Sequence, residues 1–248
     1  MTDKTVVYRA PRMDEVLVRQ DDDRMDLYYP PDWRSGARTP AVVIVTGYPD
    51  PGFEKMFGCK FKDTGSSTSW GRLIAASGMI AIAYSNSEPE ADLHALLDHV
   101  RNRAEDFGVD ENRIGLWASS GNAALALSAL NRARCAVLLY PVTLDLDGST
   151  WVADLAKQFR FANPFAGKSV ADFPADVPLF LARAGRDEIP HLNDALDRFL
   201  AHAVARNFPV SFVNHPEGPH AFDLVHDSEM SREVVRRALA FLRFHLLS

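Results

Sequence analysis

The sequence predicts an α/β fold in which helices flank a mostly parallel β-sheet. Short apolar runs alternate with amphipathic helical patterns along most of the chain, which is typical of strands joined by helical crossovers. Several of these runs, such as residues 41–45, show no alternation of polar and apolar residues. That pattern indicates strands that are buried on both faces, as in a parallel sheet covered by helices.

The predicted strands are short and rich in apolar residues. The first three are expected to form an antiparallel start to the sheet, and the later ones its parallel part. Prolines end two of them, because proline has no backbone N–H for a ladder. The strands are predicted at residues 5–8, 15–19, 26–29, 41–45, 79–84, 114–117, 135–140, 178–183 and 209–213.

Helices are predicted where apolar residues recur on one face, with charges elsewhere. These segments are residues 70–76, 88–107, 120–131, 192–204 and 230–247. Residues 46–69 are expected to form a long loop, rich in glycine and aromatic residues. A loop of that length is usually functional in a compact domain.

The 248 residues predict a single domain spanning 1–248, because no linker or change in composition divides them. A net charge of -6 and a pI near 5.7 argue against a nucleic-acid partner. Two cysteines cannot form a disulfide framework. Cys135 is predicted to lie in the core, whereas the sequence assigns no role to Cys59.

The chain contains no apolar run near the ~20 residues that a membrane helix needs, so no membrane association is expected. Its first residues lack the apolar stretch of a signal peptide. The cytoplasm is therefore the predicted location.

A serine after a predicted strand is the candidate nucleophile. Residues 114–117 pass into small residues and then an alanine-rich helical pattern, which predicts a strand, a sharp turn and a helix. A nucleophile elbow has this layout, and its crowded turn needs small residues two before and two after the nucleophile. Ser120 satisfies this on both sides, whereas Ser119 would place Trp117 in one flank. We therefore predict Ser120 as the nucleophile.

The segment around Ser120 has a second interpretation, since a serine that caps an ordinary helix gives the same pattern. A catalytic serine also needs a histidine base and a carboxylate that orients it. Asp187 follows the strand predicted at 178–183, and His220 lies in the Gly/Pro-rich loop after the last strand. We predict these two residues as the partners of Ser120. The alternatives left open are Ser119 for the nucleophile, Glu188 for the carboxylate, and His215 or His226 for the base.

Three segments, residues 112–122, 183–187 and 218–222, resemble the α/β-hydrolase superfamily, and its small esterases and dienelactone-hydrolase-like members in particular. They carry Ser, Asp and His in the order that this superfamily uses. The resemblance covers residue 41 to the C-terminus. It implies the α/β-hydrolase fold, with a mostly parallel eight-stranded sheet flanked by helices. A short cap-like insertion is expected at about 142–177, after the strand ending near Tyr140.

The sequence departs from the family pattern in two places. Ala118 and Asn122 stand where the elbow usually has glycines. Dienelactone hydrolases proper use a cysteine where this chain has Ser120, which argues against that lactone activity.

The resemblance also implies an oxyanion hole built from backbone N–H groups. One donor is expected from Gly121, the residue after the nucleophile. The other is expected from Gly47 or Tyr48, in the loop after the strand at 41–45. Alternative roles for Tyr48 are a ring that walls the acyl site and a turn residue before Pro49.

The predicted function is a serine hydrolase, a carboxylesterase that cleaves a small or medium carboxylic ester through an acyl-enzyme. Ser120 would be the nucleophile, His220 the base and Asp187 the orienting acid. A non-catalytic ligand-binding protein on the same fold and a small-peptide serine peptidase are the alternatives. No cofactor or metal is expected, since the sequence has no zinc, dinucleotide or P-loop motif. The expected partners are a small-molecule ester and, for a dimer, a second copy of the chain.

The insertion at 142–177 is rich in aromatic residues. We predict that Trp151 and Phe159, together with Tyr48, line an apolar substrate pocket. The alternative is a small helical cap or dimer contact that buries its aromatics away from the site. The other aromatic residues of the insertion are Phe161, Phe165 and Phe173.

Overall fold

In the computed structural model, which describes residues 2–248, eight strands form one sheet in the order β1-β2-β4-β3-β5-β6-β7-β8. The pairs β1·β2 and β2·β4 are antiparallel, and all other neighbours are parallel. The predicted mostly parallel eight-stranded sheet with an antiparallel start is therefore confirmed. The strands are β1 (Leu17–Asp21), β2 (Met25–Tyr29), β3 (Thr39–Ile44), β4 (Ile80–Tyr84), β5 (Val109–Ser119), β6 (Cys135–Leu139), β7 (Leu179–Arg186) and β8 (Val210–Pro219).

Helices cover both faces of this sheet and confirm the flanking layers that the sequence predicts. The longest is the C-terminal helix, whose apolar face packs on β5, β6 and β8. The helices are α1 (Asp50–Phe57), α2 (Gly65–Ala76), α3 (Pro89–Asn102), α4 (Ala104–Phe107), α5 (Asn122–Ser128), α6 (Trp151–Phe159), α7 (Leu192–Ala205), α8 (Phe222–Val225) and α9 (Glu229–Leu247).

Alternate side chains of each central strand supply two separate cores. In β3, Val43 joins the core beneath α3, α5 and α7, whereas Val42 and Ile44 join the core beneath α2 and α9. Successive residues of a strand point to opposite faces, so a strand covered on both sides must be apolar at every position. This requirement explains the uninterrupted apolar runs in the sequence. Cys135 is buried in the core beneath α2 and α9, as predicted.

Two local predictions are wrong. Residues 5–8 form no strand, because their backbone bonds to loops and side chains: Val6 N–H donates to Ser69 Oγ at 3.0 Å and Val7 N–H to Asp223 O at 2.8 Å. Residues 46–69 are not a continuous loop, since they contain α1 and the first turn of α2. Buried Asp50 anchors this region by accepting hydrogen bonds from the N–H groups of Phe61 and Asn86.

The segment 142–177 follows β6 and contains α6 and a short 3₁₀ turn. Its aromatic residues divide between two environments. Phe165 and Phe173 stack with ring centroids 5.1 Å apart and pack against the core beneath α3, α5 and α7. The α6 end of the segment belongs instead to a smaller apolar cluster that includes Tyr48. Across residues 2–248, none of the helices combines the length and the hydropathy needed to span a membrane.

Candidate active site

Ser120 follows β5 directly and occupies a sharp turn into α5. Its φ of +53° is left-handed, a conformation that strains a residue with a side chain. Three backbone hydrogen bonds hold it there: Ser120 N–H donates to Leu139 O at 3.0 Å, and Ser120 O accepts from Ala123 and Val142 N–H. Ser119 still belongs to the strand. Of the two adjacent serines, the structure therefore places Ser120 at the elbow.

The Asn122 side chain explains how the elbow tolerates a residue larger than glycine in its flank. Asn122 is buried, and its Oδ1 accepts a hydrogen bond from Gly47 N–H at 2.8 Å. This bond ties the loop after β3 to the start of α5. It also occupies the Gly47 N–H, so the prediction that Gly47 donates to an oxyanion is wrong.

Ser120, His220 and Asp187 form a continuous hydrogen-bonded chain at the carboxyl edge of the sheet. His220 Nε2 lies 3.0 Å from Ser120 Oγ, and His220 Nδ1 lies 2.7 Å from Asp187 Oδ2. Asp187 follows β7 and His220 follows β8, so three strand ends meet at one place, as is usual for sites in open α/β sheets. The structure thus brings together the three residues that the sequence analysis proposed.

Burial and hydrogen bonds fix the Asp187 carboxylate. Its side chain is 0% exposed, whereas that of His220 is 24% exposed. The second oxygen, Oδ1, accepts from Ile189 N–H at 3.0 Å. With Asp187 holding Nδ1–H, the tautomer of His220 leaves Nε2 free to accept the Ser120 proton.

The alternative residues lie outside this chain of contacts. His215 is 1% exposed, and its Nε2 lies 2.9 Å from Ser231 Oγ. Burial lowers the pKa of His215, which favours a neutral structural histidine. His226 also contacts Ser231, and the Glu188 side chain is exposed.

Two backbone N–H groups beside the elbow stay the predicted donors of an oxyanion hole. Within residues 2–248, neither Gly121 N–H nor Tyr48 N–H has a hydrogen-bond acceptor, and Gly121 is adjacent to the nucleophile. A Cβ at Gly121 would lie 2.7 Å from the Tyr48 hydroxyl and 2.9 Å from Phe161 Cδ1, so a larger residue there would displace these two rings. Burial raises the pKa of Tyr48 to about 12, so its hydroxyl keeps its proton.

An apolar cluster lies beside the elbow and resembles the wall of a substrate pocket. Tyr48 and Phe161 meet edge to face with centroids 5.8 Å apart, directly over Gly121. Trp151 is partly buried and packs against the same cluster. Phe159 is 54% exposed and lies outside this cluster, so its place in the pocket stays a prediction. The remaining members are Ala124, Val142, Val152, Leu155, Ala156, Ile189, Leu192 and Ala195.

Sequence reasoning missed a buried network behind His220. The Tyr140 and His220 rings have centroids 4.7 Å apart at an interplanar angle of 61°. The Tyr140 hydroxyl donates to Asp223 Oδ1 at 2.6 Å, and Trp70 Nε1–H donates to Asp223 Oδ2 at 2.8 Å. The one sequence feature that points to this network is the carboxylate of Asp223, three residues after His220. Tyr140 and Trp70, which bind Asp223, are too far away along the chain to be recognised as its partners.

Comparison with solved structures decides the fold. An esterase from the Planctomycetes species Thermogutta terrifontis aligns with a TM-score of 0.66 and 19% identity over 94% of each chain. A serine-to-alanine mutant of LAE6, an α/β hydrolase from the metagenome of Lake Arreo, Spain, aligns with a TM-score of 0.69 and 20% identity, over 97% of this chain and 86% of that one. This chain has the α/β-hydrolase fold.

No protein-family model matches the chain, and no curated protein matches it. At 18–20% identity, the likeness to solved α/β-hydrolase structures establishes the fold alone. The narrower likeness to dienelactone-hydrolase-like members stays a prediction. Among residues 2–248, no three His, Cys, Asp or Glu side chains are grouped so that they could hold a metal ion.

Proposed function

We propose that this protein is a serine hydrolase that cleaves a small or medium carboxylic ester through an acyl-enzyme. The observation that carries this proposal is the hydrogen-bonded chain Ser120–His220–Asp187, with Ser120 held at a φ of +53°. A serine that merely capped α5 would need neither the strained backbone nor a buried carboxylate behind a histidine.

The geometry supports a two-step reaction. His220 Nε2 accepts the Ser120 proton as Oγ attacks the ester carbonyl carbon, and the resulting oxyanion accepts hydrogen bonds from Gly121 and Tyr48 N–H. When the tetrahedral intermediate collapses, the ester C–O bond breaks and the leaving alcohol takes the proton from Nε2. The Asp187 carboxylate stabilises the imidazolium in both steps.

Water then completes the cycle. It loses a proton to His220 Nε2 as it attacks the acyl-enzyme, and the acid is released when the Ser120 oxygen regains that proton. Structures of the Thermogutta esterase hold propionate and butyrate, which supports short acyl groups as the substrate class here. The same esterase has been phosphoramylated by tabun, which supports an analogous test with organophosphorus reagents.

The proposal is tested by measuring turnover of p-nitrophenyl esters from acetate to octanoate and of aminoacyl p-nitroanilides. We expect ester hydrolysis with an initial burst of p-nitrophenol when deacylation is slower than acylation. Cleavage of anilides without esters would instead identify a peptidase. Absence of both activities in the folded protein would support the ligand-binding alternative. A cytoplasmic location and a homodimer stay predictions.

Phe161 is expected to limit the length of the acyl group, because its ring packs directly over Gly121. Phe161→Ala should raise kcat/KM for octanoate relative to butyrate by about tenfold, since each methylene in an apolar pocket is worth ~1–3 kcal/mol. Phe159→Ala is the matched control, and its exposed ring should leave the ratio within about twofold. An unchanged ratio in folded Phe161→Ala would place Phe161 outside the acyl site.

A further inference from the structure

A second carboxylate lies behind the candidate base. Asp223 belongs to α8, three residues after His220, and its side chain is completely buried. Each of its oxygens accepts one hydrogen bond, Oδ1 from the Tyr140 hydroxyl and Oδ2 from the Trp70 indole. Both donors come from other elements, since Tyr140 follows β6 and Trp70 lies in α2. Asp223 therefore connects two parts of the fold beneath the site.

The hydrogen bonds fit an ionised Asp223. An indole N–H can only donate, so it must face an oxygen that accepts. The 2.6 Å distance between Tyr140 Oη and Asp223 Oδ1 is typical of a hydroxyl that donates to a carboxylate. Burial raises the pKa of Asp223, and the hydrogen bonds from Tyr140 and Trp70 and the charge of His220 act in the opposite direction.

Tyr140 contacts both the buried carboxylate and the imidazole. Its ring packs against His220, and its hydroxyl reaches Asp223. The backbone of Tyr140 has a φ of +37°, fixed by a 2.7 Å hydrogen bond from its N–H to Ala182 O. The Tyr140 ring therefore has a defined position against one side of the imidazole.

We propose that Asp223 is a positioning residue whose negative charge stabilises the imidazolium form of His220, while Tyr140 holds the ring in place. This inference deepens the proposed function and rests on it. Asp187 binds Nδ1 directly and remains the main support of the cation. Asp223 does not touch His220 and acts on it only through electrostatic attraction. This attraction is weakly screened because the groups between the two side chains are buried and polarise little.

The other charged and titratable groups around His220 are few. Ser120 and Asp187 occupy its two nitrogens, and Tyr140 lies against its ring with a hydroxyl whose pKa burial holds well above the usual range. At the outer ends of β7 and β8, Arg186 and Glu217 form an exposed pair whose opposite charges largely cancel. Asp223 is thus a buried carboxylate on the Tyr140 side of the ring.

The test uses the full chain and reads the His220 pKa by NMR together with the pH profile of kcat/KM. In Asp223→Asn the amide oxygen can accept from Trp70 while the amide N–H donates to the Tyr140 oxygen, so both contacts can remain and the variant should fold. Losing the negative charge should lower the pKa of His220 by about one unit, because an anion favours the cationic ring. The acid limb of the pH profile of kcat/KM should shift to lower pH by the same amount. In addition, kcat should fall about tenfold with KM unchanged.

Tyr140→Phe provides a second variant. It keeps the ring against His220 but removes the hydroxyl that favours ionised Asp223, so it should also lower the His220 pKa. Asp26→Asn is the matched control, since it removes a different buried carboxylate, 2.9 Å from Lys62 Nζ, and should leave the His220 pKa unchanged.

The outcomes separate this inference from the proposed function. An unchanged His220 pKa in folded Asp223→Asn or Tyr140→Phe, or an equal shift in Asp26→Asn, would overturn the role of Asp223. Wild-type protein without ester hydrolysis, but with the expected pKa shift in the variants, would overturn the esterase proposal alone.

Discussion

Replacing His220 with alanine is expected to lower kcat for ester hydrolysis by about 10⁴-fold or more, because His220 is the base that takes the Ser120 proton in the proposed reaction. His220 Nε2 is the imidazole nitrogen within hydrogen-bond reach of Ser120 Oγ, at 3.0 Å. KM should change little, since the imidazole acts on the transition state rather than on substrate binding. Steady-state kinetics on purified variants, with thermal unfolding followed by circular dichroism, measures both effects.

His215→Ala is the control for this prediction, because both histidines belong to the β8 region but only one faces the nucleophile. The buried His215 ring contacts Ser231 and packs 5.0 Å from the Phe222 ring. Its removal should lower the melting temperature through a cavity and a lost hydrogen bond, and leave kcat nearly intact. Loss of activity in His215→Ala with retention in His220→Ala would reverse the assignment of the base.

Asp187→Asn is expected to lower kcat by about 10⁴-fold while the protein still folds. The asparagine amide would donate to Nδ1 and stabilise the tautomer that carries its proton on Nε2. That tautomer cannot accept the Ser120 proton. Burial makes the effect strong, because the Asp187 side chain has no exposed surface and water cannot replace its carboxylate.

The neighbouring Glu188→Gln variant controls for charge at the end of β7. Glu188 is exposed, so the kcat of Glu188→Gln should stay within about twofold of wild type. A large loss in Glu188→Gln with near-normal activity in Asp187→Asn would identify Glu188 as the orienting acid instead.

The features that could be predicted from sequence are those that depend on local periodicity. Strands such as β3 and β6 are buried on both faces, so their apolar runs are uninterrupted and easy to recognise. The order of Ser120, Asp187 and His220 along these elements then placed all three at one edge of the sheet, because parallel strands end together.

The features that could not be predicted depend on contacts between distant parts of the chain. Nothing local shows that Asn122 takes the Gly47 N–H, or that Tyr140 and Trp70 bury Asp223. Phe159 and Phe161 are close in sequence, yet Phe159 ends α6 on its exposed side while Phe161 turns back over Gly121. Such differences arise from tertiary packing, which overrides residue type.

The most direct measurement for the central claim is to locate the adduct of a fluorophosphonate on the intact protein. The reagent reacts with an activated serine, and its phosphonyl group should be found by peptide mass spectrometry on Ser120 alone, at one adduct per chain. Ser119→Ala should label like the wild type, whereas Ser120→Ala and His220→Ala should not label. An adduct on Ser119, or no adduct in a preparation that hydrolyses esters, would contradict the assignment of Ser120 as the nucleophile.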